Sequence, residues 1–250
     1  LLLLSLAADP IPPSPMQDRG VELLEEAIHT RQSGDVTAAL LLLKEIEPFM
    51  TPQLRAGWLY QMGVTCEIAG NTEQAEQFYQ QVIEYNDTLV PDARLRLAMV
   101  LASSGRYEAA YQQILLLSSN TSLSQTDSAL VSLQQGITEI HLGHLRKGIR
   151  HIQTVLDSPE ASQIHPWFRA EARYTLAQAL YAEAMDIHLT GSDKKAARAL
   201  KARSERMNAA EQQILAIIQL NEVEWILASL LVMGDAWRDW AQELRNVPPP

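Results

Sequence analysis

The sequence has a single cysteine, Cys66, among its 250 residues, which excludes an intrachain disulfide and a cysteine-rich metal site. Glycine and proline are also scarce, at 11 and 12 residues. Runs of β-branched residues are few, whereas Ala, Leu, Gln and Glu, which lose little conformational freedom in a helix, are abundant. These absences favour an all-α fold.

Cations are outnumbered, with 20 Lys and Arg against 30 Asp and Glu, and the net charge of −10 argues against nucleic acid as a ligand. Beyond residue 7 no stretch reaches the roughly 18 apolar residues of a transmembrane helix. The chain contains no phosphate-binding loop, dinucleotide fingerprint, nucleophile elbow or zinc-protease motif. We therefore expect neither an enzyme nor a cofactor.

The N-terminus has the pattern of a processing segment. An apolar run followed by Ser5-Leu6-Ala7 resembles the end of a signal peptide, so residues 1–7 are predicted to be its remnant. The alternative is a loop or the tail of an upstream helix. Residues 8–17 form a proline-rich leader, stiff and extended from Asp9 to Pro15. The expected location is the periplasm or cell envelope.

Four glycines mark an internal repeat, because Gly34, Gly70, Gly105 and Gly143 are separated by 36, 35 and 38 residues. A small residue occurs seven residues before each glycine and another five residues after it. Large residues occur nine and twelve residues after each glycine. The small columns are Ala27, Gly63, Ala98 and Gly136, then Ala39, Ala75, Ala110 and Gly148. The large columns are Leu43, Tyr79, Ile114 and Ile152, then Ile46, Val82, Leu117 and Val155.

These columns predict a helix, a tight turn at the glycine and a second, antiparallel helix. Glycine can adopt the left-handed conformation that ends a helix without a Cβ penalty. The facing small residues let the two backbones approach closely, and the large residues pack against the next unit. One unit cannot bury its apolar face alone, so the units must stack.

The pattern resembles the tetratricopeptide repeat (TPR). The best match runs from Trp58-Leu59-Tyr60-Gln61-Met62-Gly63 through Gly70 to Tyr79, followed by Pro91 to Leu117, and the resemblance covers residues 18–157. It implies a right-handed α-solenoid whose first helices line a groove for proteins or peptides. Candidate groove residues are Glu22, Glu26, Thr30, Arg55, Trp58, Arg94 and Gln135.

Residues 158–250 depart from the period and predict a degenerate repeat followed by a long-helix extension. A helix should begin at Pro166 and end near Leu189, before helices at 193–220 and 222–245. The segments 209–215, 224–230 and 234–237 and the closing Val247-Pro248-Pro249 are similar to the C-terminal halves of some TPR proteins. Those proteins belong to the envelope-spanning gliding-motility machinery of myxobacteria and related predatory bacteria. This second resemblance implies a periplasmic scaffold.

Few side chains suggest chemistry. Cys66 is predicted to be an inert core thiol. His141, His144 and His151 form a cluster that we interpret as polar turn residues. The alternative is metal binding, which would need further ligands, and Glu139 is the nearest carboxylate. The carboxylates lie at the spacing of solvated helix faces.

A basic run and three tryptophans stand out near the C-terminus. Residues 192–206 hold six cations and two acids, so this helix could meet an acidic partner or anionic lipid, or form a solvated face. The tryptophans could cap the stack or contact a hydrophobic partner. The cations are Lys194, Lys195, Arg198, Lys201, Arg203 and Arg206, and the tryptophans are Trp225, Trp237 and Trp240.

The sequence thus predicts a non-enzymatic protein-interaction scaffold of the bacterial cell envelope. The alternative is an assembly or accessory subunit of an envelope or gliding-motility complex that oligomerises through its C-terminal helices. A cryptic enzyme or metal-binding protein would require a buried polar cluster or a deep pocket.

Overall fold

The structure is a computed structural model that describes residues 15–85, 88–120, 122–189 and 193–246. The described residues form eleven α-helices and two short 3₁₀ helices, with no strand among them. The α-helices are α1 (Pro15–Gln32), α2 (Val36–Glu45), α3 (Pro52–Ile68), α4 (Thr72–Tyr85), α5 (Val90–Ser103), α6 (Tyr107–Ser118), α7 (Gln125–His141), α8 (Leu145–Leu156), α9 (Pro166–Met185), α10 (Asp193–Leu220) and α11 (Val223–Asn246).

The predicted fold class is confirmed: the chain is all-α and built from TPR-like helix–turn–helix repeats. Packing divides it into two units that meet in sequence at Gly105 and Arg106, the first containing α1 to α5 and the second α6 to α11. None of the described helices is both long and apolar enough to span a bilayer. The signal-peptide remnant and most of the proline-rich leader lie outside the described residues, and α1 begins at Pro15, within the predicted leader.

The four turn glycines confirm the period. Their φ angles are +98° at Gly34, +76° at Gly70, +75° at Gly105 and +84° at Gly143. A Cβ built at any of them would meet nothing within 4 Å. The backbone conformation, and not a lack of space, therefore requires glycine at these turns.

In the first unit, the small columns bring paired helices into contact. Ala27 and Ala39 are buried, as are Ala75 and Ala98. On α3, a Cβ at Gly63 would lie 2.6 Å from the ring of Tyr79 on α4. The large columns fill the remaining space, and their members in both units are at most 5% exposed. This is the interdigitation that the sequence columns predicted.

In the second unit, α7 and α8 meet through two glycines. A Cβ on Gly148 would lie 2.5 Å from the carbonyl oxygen of Gly136, so only glycine permits this approach. The helix α9 then packs against α7, α8, α10 and α11. One core cluster joins these helices, including Leu133, Ile152, Leu176 and Met207.

The C-terminal helices follow the prediction with one difference. The helix α9 ends at Met185 and not near Leu189, because a tighter bond from the Ile187 N–H to the Ala184 carbonyl closes its last turn. The bounds of α10 and α11 are as predicted to within a residue or two. Asn221, at φ +60°, makes the break between them without a glycine.

Candidate functional site

A polar network joins α3, α4 and α5 in the first unit. Arg96 on α5 lies at its centre, with Nη1 3.2 Å from Glu67 Oε2 and Nε donating to the Tyr60 hydroxyl at 3.1 Å. Both partners belong to α3. Glu67 also accepts a hydrogen bond from the hydroxyl of the buried Tyr79 on α4. The network therefore connects three consecutive helices.

The charges in this network reinforce one another. Burial, the largest single influence, would lower the pKa of Arg96, but the adjacent Glu67 carboxylate together with Tyr60 and Tyr79 outweighs burial and raises that pKa. Burial raises the pKa of Tyr79, and the negative charge of Glu67 raises it further. Both donors keep their protons, so the geometry around Glu67 is fixed at neutral pH.

Arg31, at the end of α1, adds a second guanidinium to the same side. Its Nη1 donates to the Thr65 hydroxyl on α3 at 2.9 Å, and the side chain is partly buried. No carboxylate of the described chain lies within ion-pairing distance of it. Burial lowers the pKa of Arg31, and the positive charge of Arg96 lowers it further. Of the two guanidiniums only Arg96 is paired with a carboxylate, Glu67, so Arg31 leaves a local excess of positive charge.

We call Arg31, Tyr60, Glu67 and Arg96 the arginine site. It can bind an anion, because a carboxylate accepts charge-assisted hydrogen bonds from guanidinium groups. The side chain of Ile68, 56% accessible, follows Glu67 in the sequence and offers an exposed apolar surface on the same turn of α3. A peptide with an acidic and an apolar residue has the complementary chemistry.

A second polar cluster, in the second unit, surrounds the fully buried carboxylate of Glu139 on α7. Lys147 Nζ lies 2.8 Å from it and His151 Nδ1 2.9 Å from it. The Tyr111 hydroxyl and the Gln135 amide donate to Glu139 at 3.2 and 3.0 Å. Burial would raise the pKa of Glu139, but the hydrogen bonds from Lys147 and Gln135, together with the electrostatic attraction of His151 and Lys147, outweigh burial and lower it. Glu139 is therefore an ionised structural hub.

A cleft of about 720 Å³ opens beside this cluster. Two of its charged residues are already paired, Lys147 with Glu139 and Glu183 with Arg206 at 3.2 Å. The cleft offers mixed charge for recognition, and the described residues that line it include no serine or cysteine nucleophile next to a base. The lining side chains are Tyr111, His144, Leu145, Arg146, Lys147, Glu183 and Asp186.

The histidines do not form one site. His141 stacks on Tyr107 with ring centroids 4.4 Å apart, His144 lines the cleft and His151 faces Glu139. Within the described ranges no group of three or more His, Cys, Asp or Glu residues could hold a metal ion. Cys66 is buried, and burial raises the pKa of its thiol.

The predicted groove residues of the first unit have separate environments. Arg55 is exposed on α3, and Arg94 is partly buried on α5. Trp58 packs into the core, where its indole donates to the Leu43 carbonyl at 2.7 Å and its ring meets Phe78 edge-on. Their roles in binding stay predictions.

Sequence reasoning missed the arginine site. One signal was available: Arg31 and Glu67 each lie four residues after a small-column residue, so opposite charges occupy the same column in consecutive repeats. Stacking brings equal columns of neighbouring repeats together. Arg96 is not in that column, and the period alone does not indicate its contact with Tyr60.

The predicted basic run is divided by the helix period. Lys194, Lys195, Arg198 and Lys201 are exposed on α10. Arg203, in contrast, is 1% exposed, pairs with Glu243 and lies 5.8 Å from the Trp240 ring centroid. Arg206 pairs with Glu183. The exposed basic surface is therefore confined to the N-terminal half of α10.

The tryptophans of α11 occupy different surroundings. Trp225 packs against α9, with its ring 5.2 Å from both Trp167 and Tyr174. Trp240 is buried, at 8% exposure, and belongs to the core. Trp237 stacks on Trp240 and donates to Glu211 at 2.8 Å, yet 43% of it remains exposed. Trp225 and Trp240 thus have packing roles, and Trp237 offers free surface.

Comparison with known proteins supports the fold alone. No protein-family model matches the chain, and no curated protein matches it. Among solved structures, it is similar to MamA from Desulfovibrio magneticus RS-1, with a TM-score of 0.55 and 17% identity over 79% of this chain and 98% of that one. It is also similar to YrrB, described as a TPR protein with an unusual peptide-binding site, with a TM-score of 0.53 and 14% identity over 81% and 93% of the chains. PilF of Pseudomonas aeruginosa gives a TM-score of 0.54 and 15% identity over 93% and 95%.

Proposed function

We propose that this chain is a scaffold that binds proteins or peptides, and that the arginine site receives an acidic residue of the partner. The observation that carries the proposal is the partly buried Arg31, which is held near Arg96 without a carboxylate of its own. Two neighbouring guanidiniums of which only Arg96 has a carboxylate partner, Glu67, favour an added anion. The fold is shared with YrrB, a TPR protein described as having an unusual peptide-binding site.

The geometry supports recognition over a preformed surface. Thr65 is buried, and its hydroxyl bonds both to Arg31 and to the Gln61 carbonyl at 2.7 Å. This anchoring uses one N–H of the Arg31 guanidinium and orients the others. A ligand carboxylate then loses less freedom on binding than it would with a mobile side chain.

The test is selection of random peptides displayed on phage against the intact protein, followed by calorimetry of the enriched peptides. We expect enrichment of peptides with Asp or Glu near an apolar residue. Arg31→Gln should weaken their binding by about 10- to 100-fold, since a hydrogen bond to a charged group contributes about 1.5–3 kcal/mol.

The matched control is Arg55→Gln, which removes an equal charge from an exposed position on α3. It should leave the affinity within about twofold of the unchanged protein. Equal losses in both variants would indicate general charge attraction, and a loss in Arg55→Gln alone would move the site to the groove position predicted from the sequence. Either outcome contradicts the arginine site.

We further propose that the protein works in the cell envelope, as an assembly subunit of an envelope or gliding-motility complex. Support comes from the apolar run before Ser5-Leu6-Ala7 and from the C-terminal resemblance to myxobacterial proteins. Cell fractionation with cross-linking of the full chain tests it. Recovery in the envelope fraction with specific envelope proteins is expected, and a cytoplasmic location would overturn it.

A further inference from the structure

The outer face of α11 is a continuous apolar strip. Of the fifteen large apolar side chains that are exposed in the described chain, six belong to this one helix. Exposure is 65% at Val223, 59% at Leu227 and 71% at Leu231. Leu230, Trp237 and Leu244 are 41–45% exposed. A strip of this kind usually marks an interaction surface in a monomeric fold.

The spacing of this strip is that of a coiled-coil seam. Its positions alternate by four and three residues, so one side of the helix stays aligned over more than three heptads. All seven positions are exposed. We call them the α11 seam: Val223, Leu227, Leu230, Gly234, Trp237, Ala241 and Leu244.

Gly234 has no internal reason to be glycine. It lies in the middle of α11, where glycine weakens a helix, and a Cβ built on it would meet nothing within 4 Å. The glycines at 63, 136 and 148 are different, because neighbouring atoms of the same chain occupy that space. At Gly234 the missing side chain leaves room for an atom from outside the chain.

We propose that the α11 seam pairs with the α11 seam of a second copy, antiparallel, in a two-fold dimer. In the register that sets Gly234 opposite the second copy's Trp237, Leu227 lies opposite the second copy's Leu244 and Leu230 opposite its Ala241. Small residues thus face large ones at two layers, and two leucines face each other at a third. Each of these three pairs occurs twice, as two-fold symmetry requires, and Val223 lies beyond the paired layers.

The charges beside the seam select this orientation. One flank begins with Glu224 and ends with Arg238 and Arg245, all exposed. In an antiparallel pair, Glu224 of each chain approaches Arg245 of the other. In a parallel pair, the two copies of this flank would lie on opposite sides of the seam, and Glu224 would have no Arg245 across from it.

The test is sedimentation velocity of the full chain over a range of micromolar concentrations. We expect a monomer–dimer equilibrium whose dissociation constant rises at least tenfold in Leu227→Glu and in Leu230→Glu. Leu116→Glu on α6, where the side chain is similarly exposed at 53%, is the control and should dimerise normally. A monomer at all concentrations, or a dimer that both seam variants preserve, would overturn the proposal.

Gly234→Ala separates dimerisation from folding, because the two respond in opposite directions. We expect a higher melting temperature for the monomer, since alanine favours the helix, together with a weaker dimer, since the methyl group meets the second copy's Trp237. An unchanged dimer would refute the close contact at Gly234, whatever the effect on melting.

Orientation is tested by disulfide trapping. A mixture of Leu227→Cys and Leu244→Cys chains should give the mixed dimer under mild oxidation. Trapping of Leu227→Cys with itself would indicate a parallel pair and contradict the register. The unchanged protein serves as the control, because its one thiol, Cys66, is buried. Peptide binding at the arginine site on α1, α3 and α5 is a separate measurement and does not depend on this result.

Discussion

The contact between Gly63 and Tyr79 makes a quantitative prediction about the repeat. A Cβ at Gly63 would lie 2.6, 2.8 and 3.1 Å from three ring atoms of Tyr79. That ring is fully buried, and its hydroxyl is bonded to Glu67, so it cannot move aside easily. Inserting a methyl group into a packed core costs about 1–3 kcal/mol, and this site belongs at the upper end.

Gly63→Ala also has a stabilising effect, because alanine favours the interior of a helix over glycine by about 1 kcal/mol. The expected net effect is a destabilisation of about 2 kcal/mol, or a melting temperature lower by about 4–8 °C for a chain of this length. Gly57→Ala, on the same helix, is the matched control. A Cβ at Gly57 would meet only Leu24, at the ordinary van der Waals distance of 3.7 Å, so only the stabilising effect of alanine on the helix remains.

We therefore expect Gly57→Ala to stabilise the protein by about 1 kcal/mol, opposite in sign to Gly63→Ala. Thermal and urea unfolding followed by far-UV circular dichroism measure both variants. In Gly63→Ala combined with Tyr79→Leu, removing the ring should cancel the clash, so the two losses would be less than additive. Equal stability of the two glycine variants would refute the proposed packing of α3 against α4.

Three further predictions concern a carboxyl, a turn and a thiol. Burial and the negative charge of Glu224 raise the pKa of Glu171 from its ordinary value of 4.5 to about 7, despite a hydrogen bond from Gln134. The folded protein therefore loses stability as the pH rises from 4.5 to 7, because the carboxyl ionises less readily in the folded than in the unfolded chain. Between pH 5 and pH 8, the free energy of unfolding of Glu171→Gln, measured in melting scans, should rise by about 2 kcal/mol relative to that of the unchanged protein. A difference in stability that does not change with pH would contradict the raised pKa. Asn221→Ala should lose about 1 kcal/mol in urea unfolding because its φ is +60°, whereas Asn221→Gly should lose nothing. Cys66 should react with a thiol reagent only as fast as the protein unfolds, because its side chain is 1% exposed and burial raises the pKa of its thiol. Rapid reaction of the folded protein would disprove this burial.

The sequence determined the repeat because the repeat is a local property. A glycine with positive φ ends each first helix, and the residues at fixed distances from it are set by the 3.6-residue turn and the need for close approach. The columns containing Gly63, Ala75 and Tyr79 therefore follow from spacing alone, and the structure buries each of them. Helix ends without such a signal were less certain, as α9 shows by ending at Met185.

Only the tertiary structure decided which polar groups meet. Arg31 and Thr65 are 34 residues apart, and Arg96 and Tyr60 are 36 apart, so their contacts depend on how helices from successive repeats are rotated against each other. In the same way, the packing of α10 against α11 buries Arg203 beside Glu243 and leaves Lys201 exposed to water, although Arg203 and Lys201 belong to one basic run. Spacing along the chain fixes which residues share a face of one helix, but the packing of side chains between helices selects which face is buried, and hence which charges remain available to a partner.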